Sequence, residues 1–260
     1  MRPLKQIAGG NAEMSKVDDR LVANVPTLGS REVHVWSFDL SGDAPNDAAS
    51  ALPASDLTRA GRFVFDRDRN RFLRGRMIVR QLLAAYLDID HRRLSLSFNA
   101  HGKPYLQPEF ELGFNLSHSA DLALLAIGRM PEIGVDVEEF TPKYDMRRLA
   151  TTLFSAEECK ALDKVADDDL ALLFLTCWTR KEAYLKALGV GLSLEPRTFH
   201  AGIEGSRACV PIASSPTHEY VEVGGIDGYE HGIAALAVAG GFSAASHYDL
   251  SQWLSRETAL

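Results

Sequence analysis

The sequence predicts an α/β (α+β) fold made by pseudo-twofold duplication, with two similar α/β halves and a cleft between them as the natural ligand site. Three observations lead there. Segments of strand-like β-branched and aromatic residues alternate with segments whose apolar positions recur at helical spacing. Laying Arg71-Phe-Leu-Arg-Gly-Arg-Met-Ile-Val-Arg-Gln-Leu-Leu over Leu173-Phe-Leu-Thr-Cys-Trp-Thr-Arg-Lys-Glu-Ala-Tyr-Leu brings their apolar positions into coincidence. Further along, Leu94-Ser-Leu matches Leu192-Ser-Leu, and Asp121-Leu-Ala-Leu-Leu-Ala-Ile-Gly matches Gly232-Ile-Ala-Ala-Leu-Ala-Val-Ala. The matched segments recur about a hundred residues apart, which suggests two similar α/β halves.

The elements follow in order. Residues 1–30 carry no sustained periodicity and include Gly9-Gly10, so they form an N-terminal extension outside the core. Glu32 to Asp39 is a first strand. Asp56 to Phe65 is a short helix, and Asp68 to Leu87 a long one with Phe72, Val79, Leu82, Leu83 and Tyr86 at helical spacing. A strand over Leu94 to Phe98, a turn at Gly102-Lys103-Pro104 and strands over Phe114 to His118 and Leu122 to Ile127 complete the first half, 31–131. The second half, 132–250, opens with a strand at Ile133 to Glu138. Ser155-Ala-Glu-Glu158 is a capping-box helix start, and Leu170 to Leu188 is a long helix. Residues 251–260 are a C-terminal tail.

Composition bounds the function. A chain of 260 residues with 46% hydrophobic content can bury a substantial core. Its longest apolar runs fall well short of the ~18 residues of a membrane span, and the N-terminus does not read as a secretory signal. The expected address is the cytoplasm. Cys159, Cys177 and Cys209 have no short metal-like or redox spacing and read as reduced, mostly packed thiols. The net charge of −7 argues against general affinity for nucleic acid or an anionic membrane. That charge is uneven: Arg59 to Arg80 holds eight arginines and two aspartates, so this segment is +6 and the remainder −13. A solvated helix face explains such a run, and so does a surface that attracts phosphates or an acidic partner protein.

Four segments could carry chemistry. In the strand Gly134-Val-Asp136-Val-Glu138 the two acids lie two apart and emerge on one face. Adjacent carboxylates repel unless a cation or proton lies between them, and hard oxygen ligands suit Mg²⁺. Taken alone, the motif is more readily an exposed strand face with two solvated acids. In Trp178-Thr-Arg-Lys-Glu182-Ala-Tyr-Leu-Lys186, Glu182 and Lys186 stand one helical turn apart, as a metal ligand or base beside a phosphate-binding cation. A surface ion pair worth ~0.3–0.5 kcal/mol is the plainer account, and Trp178 and Tyr184 need no role beyond packing. Asn115-Leu-Ser117-His118-Ser119 sets a serine beside a histidine, yet neighbours in extended chain face opposite ways and no Gly-x-Ser-x-Gly turn frames the serine. At a strand end Ser117 and His118 could instead hydrogen-bond phosphate, while a lone histidine there is more often structural. Lys103, between glycine and proline, is a turn lysine that could also reach a phosphate.

Together, Arg59-Ala-Gly-Arg-Phe-Val-Phe, Gly102-Lys-Pro, Phe114-Asn-Leu-Ser-His-Ser, Ile133-Gly-Val-Asp-Val-Glu, Phe154-Ser and Trp178-Thr-Arg-Lys-Glu-Ala-Tyr-Leu-Lys resemble the Sfp-type 4′-phosphopantetheinyl transferase superfamily, in its larger monomeric class. The resemblance runs from about residue 56 to 195 in order. It implies Mg²⁺-dependent transfer of phosphopantetheine from coenzyme A to a serine of an acyl, peptidyl or aryl carrier protein, releasing 3′,5′-ADP. It implies Asp136, Glu138 and Glu182 as ligands of Mg²⁺, for which Mn²⁺ is the alternative, with Glu182 also helping to deprotonate the serine. It implies Lys186 as the cation on the pyrophosphate, Ser117, His118 and Lys103 as phosphate ligands, and Arg59 on the 3′-phosphate of coenzyme A. Near Asp56 and Phe72 the chain lacks polar or basic residues that some relatives carry. Two other readings remain: the short holo-carrier-protein synthase class, against which length and the repeat count, and a non-catalytic arginine-rich nucleic-acid or protein-binding module, which leaves the acidic motifs unexplained.

Overall fold

The computed structural model describes residues 25–140, 145–203, 205–212, 218–227 and 232–257. Most of the expected N-terminal extension, residues 1–24, lies outside them. The described residues divide into two compact units, one comprising residues 25–27, 39–94 and 250–257, the other residues 28–38 and those described between 95 and 249. No helix among the described residues is long and apolar enough to cross a membrane.

The first unit is helical. Helices α1 (Ala48–Ala51), α2 (Ala54–Ala60) and α3 (Asp66–Leu87) enclose a small core of Ala48, Ala51, Leu52, Ala60, Leu73 and Met77. Asp66 and Asp68 sit in the first turn of α3, where carboxylates complement the helix dipole, and Asp88 closes it in the left-handed region at φ 52°. The arginine-rich run is only partly a solvated face. Arg74 and Arg80 are buried, and donate to the carbonyls of Asp43 and Leu94 respectively; Arg76 pairs with Asp56 at 3.4 Å. The expected strand at Leu94 to Phe98 shrinks to Ser97–Phe98, because a 3₁₀ turn at His91–Arg93 runs into Leu94, whose carbonyl is taken by Arg80. The C-terminal tail is helical over Leu250–Glu257, with 258–260 outside the described residues.

The second unit carries the sheets. In chain order the strands are β1 (Glu32–Asp39), β2 (Ser97–Phe98), β3 (Pro104–Tyr105), β4 (Gly113–Ser119), β5 (Leu122–Gly128), β6 (Ile133–Glu139), β7 (Arg207–Pro211), β8 (Tyr220–Ile226), β9 (Gly232–Ala239) and β10 (Ala244–Asp249). One sheet has the order β10-β1-β5-β4, the other β6-β9-β8-β7, and β2 pairs with β3 in a hairpin. The order β1-β5-β4 reappears as β6-β9-β8, the arrangement expected of a duplication. Each half also contains one 22-residue helix, α3 in the first.

Both sheets share an apolar layer: Val33, Val35, Leu124 and Ala126 of the first meet Ile133, Val135, Val137 and Leu236 of the second. The opposite face of the second sheet, through Val221, Val223, Ala235 and Ala237, packs on Ala183, Tyr184 and Ala187 of a long helix. Strand β9 is therefore buried on both faces, which is why its sequence is an unbroken apolar run. The compact units consequently divide the chain differently from halves cut at 131/132, because this shared layer binds strands of both halves into one body.

Helices α4 (Met146–Leu153), α5 (Ala156–Leu162) and α6 (Asp167–Leu188) complete the unit around Phe154, Leu162, Phe174 and Cys177. The predicted capping box is present at the start of α5. Its Glu158 also pairs with Lys181 of α6 at 2.7 Å, both side chains fully buried. Glu158 accepts from the backbone N–H groups of Ser155 and Ala201, and Lys181 donates to the carbonyls of Pro196 and Phe199. With every partner satisfied, the pair fixes α6 against residues 196–201.

Candidate active site

The site forms where β4 lies beside β6 and α6 crosses behind. Alternate residues of β4 project toward β6 as a polar ladder. Asn115 Oδ1 accepts from the Val135 N–H at 2.9 Å, Ser117 Oγ donates to Asp136 Oδ1 at 2.9 Å, and Ser119 Oγ accepts from the Glu139 N–H at 3.2 Å. On the face of β6 that also carries Asp136 and Glu138, Gly134 permits unusually close approach of α6. A Cβ there would lie 2.0 Å from the Ala183 carbonyl oxygen and 2.4 Å from the Ala187 nitrogen.

That approach brings Trp178, Glu182 and Lys186, spaced four apart on one stripe of α6, against the acidic strand. Lys186 Nζ donates to Asp136 Oδ1 at 2.6 Å and to Ser117 Oγ at 2.8 Å. Trp178 Nε1 donates to Glu138 Oε1 at 3.3 Å, and Ser119 Oγ donates to Glu138 Oε2 at 3.2 Å. Asp136 is buried, with Oδ2 lacking any hydrogen-bond partner. Burial raises its pKa and the nearby Glu138 adds to this, with Lys186 and Ser117 opposing. Glu182 is also raised, first by burial and then by the charge of Asp136, with Lys186 opposing and Glu138 adding to the rise. One ammonium thus stands among three carboxylates. Among the described residues no three His, Cys, Asp or Glu side chains are gathered tightly enough to hold a metal ion as they stand. A bare buried oxygen on Asp136 and mutual repulsion among hard oxygen donors nevertheless fit a divalent cation of the Mg²⁺ type.

Beside this cluster lies a cleft of about 230 Å³ whose lining includes Lys103, Asn115, Glu182, Lys186 and Leu192. Its floor is a clasp on the end of α6. Gly189 caps the helix at φ +66°, and Asn99 Nδ2 donates to its carbonyl at 2.7 Å. Asn99 Oδ1 accepts from the backbone of His101 and Lys103, shaping the turn. Lys103 Nζ donates to the carbonyls of Ile133 and Ala187, both at 2.9 Å, so a cation sits at the helix C-terminus. Burial lowers the Lys103 pKa to about 8, with Glu132 pulling upward.

The structure therefore brings together Ser117, Asp136, Glu138, Glu182 and Lys186, with Lys103 at the cleft and committed to two carbonyls. His118 is exposed and absent from the lining of that cleft, as are Ser117, Asp136 and Glu138. Arg59 belongs to the helical unit, where it is exposed, lies 5.3 Å from the Phe72 ring centroid and lines a cleft of about 670 Å³ with Ser55, Thr58, Arg62 and Phe63. Sequence reasoning overlooked Asn99, Asn115, Ser119 and the hydrogen bond of Trp178. The alternation of polar residues at 115, 117 and 119 was the available signal for two of them, and the four-residue step from Trp178 to Glu182 for another.

Comparison with known proteins bears on this site. Residues 132–231 match the model of the 4′-phosphopantetheinyl transferase superfamily, and 41–129 match that of the 4′-phosphopantetheinyl transferase N-terminal region. The 4′-phosphopantetheinyl transferase HetI of Nostoc sp. is 40% identical over 174 residues, covering 64% of this chain and 73% of that protein. The L-aminoadipate-semialdehyde dehydrogenase-phosphopantetheinyl transferase of Mus musculus is 27% identical over 231 residues, covering 78% and 74%. The 4′-phosphopantetheinyl transferase gsp of Aneurinibacillus migulanus is 31% identical over 166 residues, covering 64% of each.

Proposed function

Because the chain belongs to the 4′-phosphopantetheinyl transferase superfamily, whose members move phosphopantetheine from coenzyme A to carrier proteins, we propose that the cluster around Asp136 is its transfer site and works with Mg²⁺. The observation that carries this reading is the pairing of Ser117 and Lys186 on one oxygen of Asp136 while the other, buried, has no partner. Asp136, Glu138 and Glu182 would hold the cation, with Mn²⁺ as the alternative. When bound, it would neutralise charge on the pyrophosphate and on the three acids.

The remaining roles follow from the side chains. Attack by the carrier serine on the β-phosphate of coenzyme A needs alignment and charge neutralisation more than covalent help. Glu182, with a pKa raised by burial and by Asp136, accepts a proton more readily than a solvated carboxylate and would take it from the serine hydroxyl. Lys186 offers its ammonium to the pyrophosphate and to the departing 3′,5′-ADP. The Ser117 hydroxyl, His118 and Lys103 are assigned to the nucleotide phosphates and Arg59 to the 3′-phosphate; these four assignments rest on the resemblance. A cytoplasmic monomer that binds neither nucleic acid nor membrane, and a duplication with halves 31–131 and 132–250, complete the proposal. Fractionation and light scattering test address and oligomeric state.

The deciding experiment incubates the protein with coenzyme A and a purified apo-carrier domain, with Mg²⁺ or with EDTA. Mass spectrometry should show one phosphopantetheine added to the carrier serine only when the cation is present. An unmodified carrier across a panel of acyl, peptidyl and aryl carriers would refute transfer, and full modification in EDTA would refute the cation.

A further inference from the structure

Glu138 is held differently from the other two acids. Each of its oxygens receives a neutral donor from a separate element: Trp178 Nε1 of α6 reaches Oε1 at 3.3 Å, and Ser119 Oγ of β4 reaches Oε2 at 3.2 Å. The Ser119 hydroxyl is itself oriented, because its oxygen accepts from the Glu139 N–H at 3.2 Å and its proton is therefore free for Glu138. An indole can only donate, so Trp178 can neither compete as a ligand nor take up a proton. Both donors are uncharged, so neither offsets the charge of a carboxylate as a lysine or arginine in either place would. A glutamate at the end of a strand would otherwise sample several rotamers, and this one is gripped from two sides.

We propose that Trp178 and Ser119 are positioning residues that fix the Glu138 carboxylate, one hydrogen bond to each oxygen, and so set the affinity of the site for its divalent cation. This rests on the reading of Asp136, Glu138 and Glu182 as cation ligands. Each carboxylate oxygen has a second lone pair, so a hydrogen bond on one side leaves the other for a cation. Partners that orient a metal ligand typically change affinity by about 10–100-fold when removed.

The test measures Mn²⁺ binding without coenzyme A, by the loss of the free-ion electron paramagnetic resonance signal. The proteins are the wild type, Glu138→Gln, Trp178→Phe, Ser119→Ala, Ser119→Thr and the double variant Trp178→Phe with Glu138→Gln. Trp178→Phe and Ser119→Ala should each raise the Mn²⁺ Kd by about 10–100-fold, while Ser119→Thr, which keeps the hydroxyl, restores wild-type affinity. The double variant should bind no more weakly than Glu138→Gln alone, since the indole acts through that carboxylate. Mn²⁺ should also quench tryptophan emission in the wild type and not in Trp178→Phe. Wild-type affinity in Trp178→Phe, or a loss that adds to that of Glu138→Gln, would overturn the positioning role. Circular dichroism checks folding, and the Ser119→Ala and Ser119→Thr pair decides the matter if Trp178→Phe unfolds. A wild type that takes up no Mn²⁺, or Glu138→Gln that binds it as tightly, would overturn the cation reading and this inference with it.

Discussion

Replacing Gly134 by alanine tests the geometry on which the whole site depends. Local propensity alone predicts a small gain, since glycine inside a strand is about 0.5–1 kcal/mol less favourable than alanine. Packing predicts the opposite. The new methyl would lie 2.0 Å from the Ala183 oxygen and 2.4 Å from the Ala187 nitrogen, and both obstacles are helix backbone, which cannot rotate aside as a side chain can. Relieving those contacts requires α6 to retreat from β6 by about 1 Å or more, given the ~3.5 Å optimum of a non-bonded pair. Overpacking of this kind costs about 1–3 kcal/mol, and the backbone obstacle places this case at the upper end. A thermal melt should fall by roughly 6–12 °C, at about 2–4 °C per kcal/mol for a chain of this size. Lys186 lies next to Ala187 in the displaced turn, so its 2.6 Å contact with Asp136 should open. A misplacement of about 1 Å can cost ~10²-fold in rate, so transfer measured well below the melt should lose about that factor in kcat. Far-ultraviolet circular dichroism during heating and single-turnover transfer well below the melt provide the two readouts. A melt equal to or above that of wild type, with kcat unchanged, would refute the close-packing account.

Four further outcomes are expected. Glu182→Gln should lose ~10²–10⁴-fold in transfer yet melt higher than wild type in cation-free buffer; because the Glu182 pKa is raised above 4.5, its contribution to stability is present in acid and lost as pH rises through the folded value, so the gain should grow with pH, and a variant that melts lower would contradict this. Lys103→Met should lower stability by about 1–3 kcal/mol by leaving two carbonyls without their donor. Since the folded pKa of Lys103 is about 8 against 10.5 unfolded, the wild type gains stability over that window and the deficit should widen with rising pH; a constant deficit in denaturant titrations would argue against the depressed value. Lys181→Met should destabilise by about 3–5 kcal/mol through the uncompensated Glu158, measured by thermal melt, and an unchanged melt would remove its role in fixing α6 against residues 196–201. Arg59→Ala should abolish most of the preference for coenzyme A over its 3′-dephospho form, about 10–150-fold in KM at nearly constant kcat, and a coupling near zero between residue and phosphate would transfer the assignment to another arginine.

Much of this molecule was legible in its sequence because the governing interactions are local. The first strand at Glu32 to Asp39, the capping box at Ser155 and the long second-half helix follow from side-chain periodicity and hydrogen bonding within a few residues. The shared face of Asp136 and Glu138 follows from the two-residue repeat of a strand, and that of Glu182 and Lys186 from the helical turn. The duplication could be read because the two halves keep the same order of apolar segments. Burial was harder to assign. Arg74, Arg80 and Lys181 look like solvated cations in sequence, whereas each gives its charge to backbone carbonyls far along the chain or, for Lys181, also to a buried acid.

Sequence by itself determined which residues carry charge, which faces they share within an element, and which family motifs they compose. Only the tertiary structure decided what meets across elements: that Ser117 and Lys186 converge on one oxygen of Asp136, that Asn99 and Lys103 close the end of α6, and that Trp178 touches Glu138. The physical reason is separation along the chain. Ser117 is 19 residues from Asp136 and Lys186 is 50, so no periodicity links them, and their meeting depends on two strands and a helix packed through a shared core. Gly134 joins the two levels: an unremarkable glycine in a strand motif, it sets how near the helix can come, and that distance brings the ammonium onto the carboxylate.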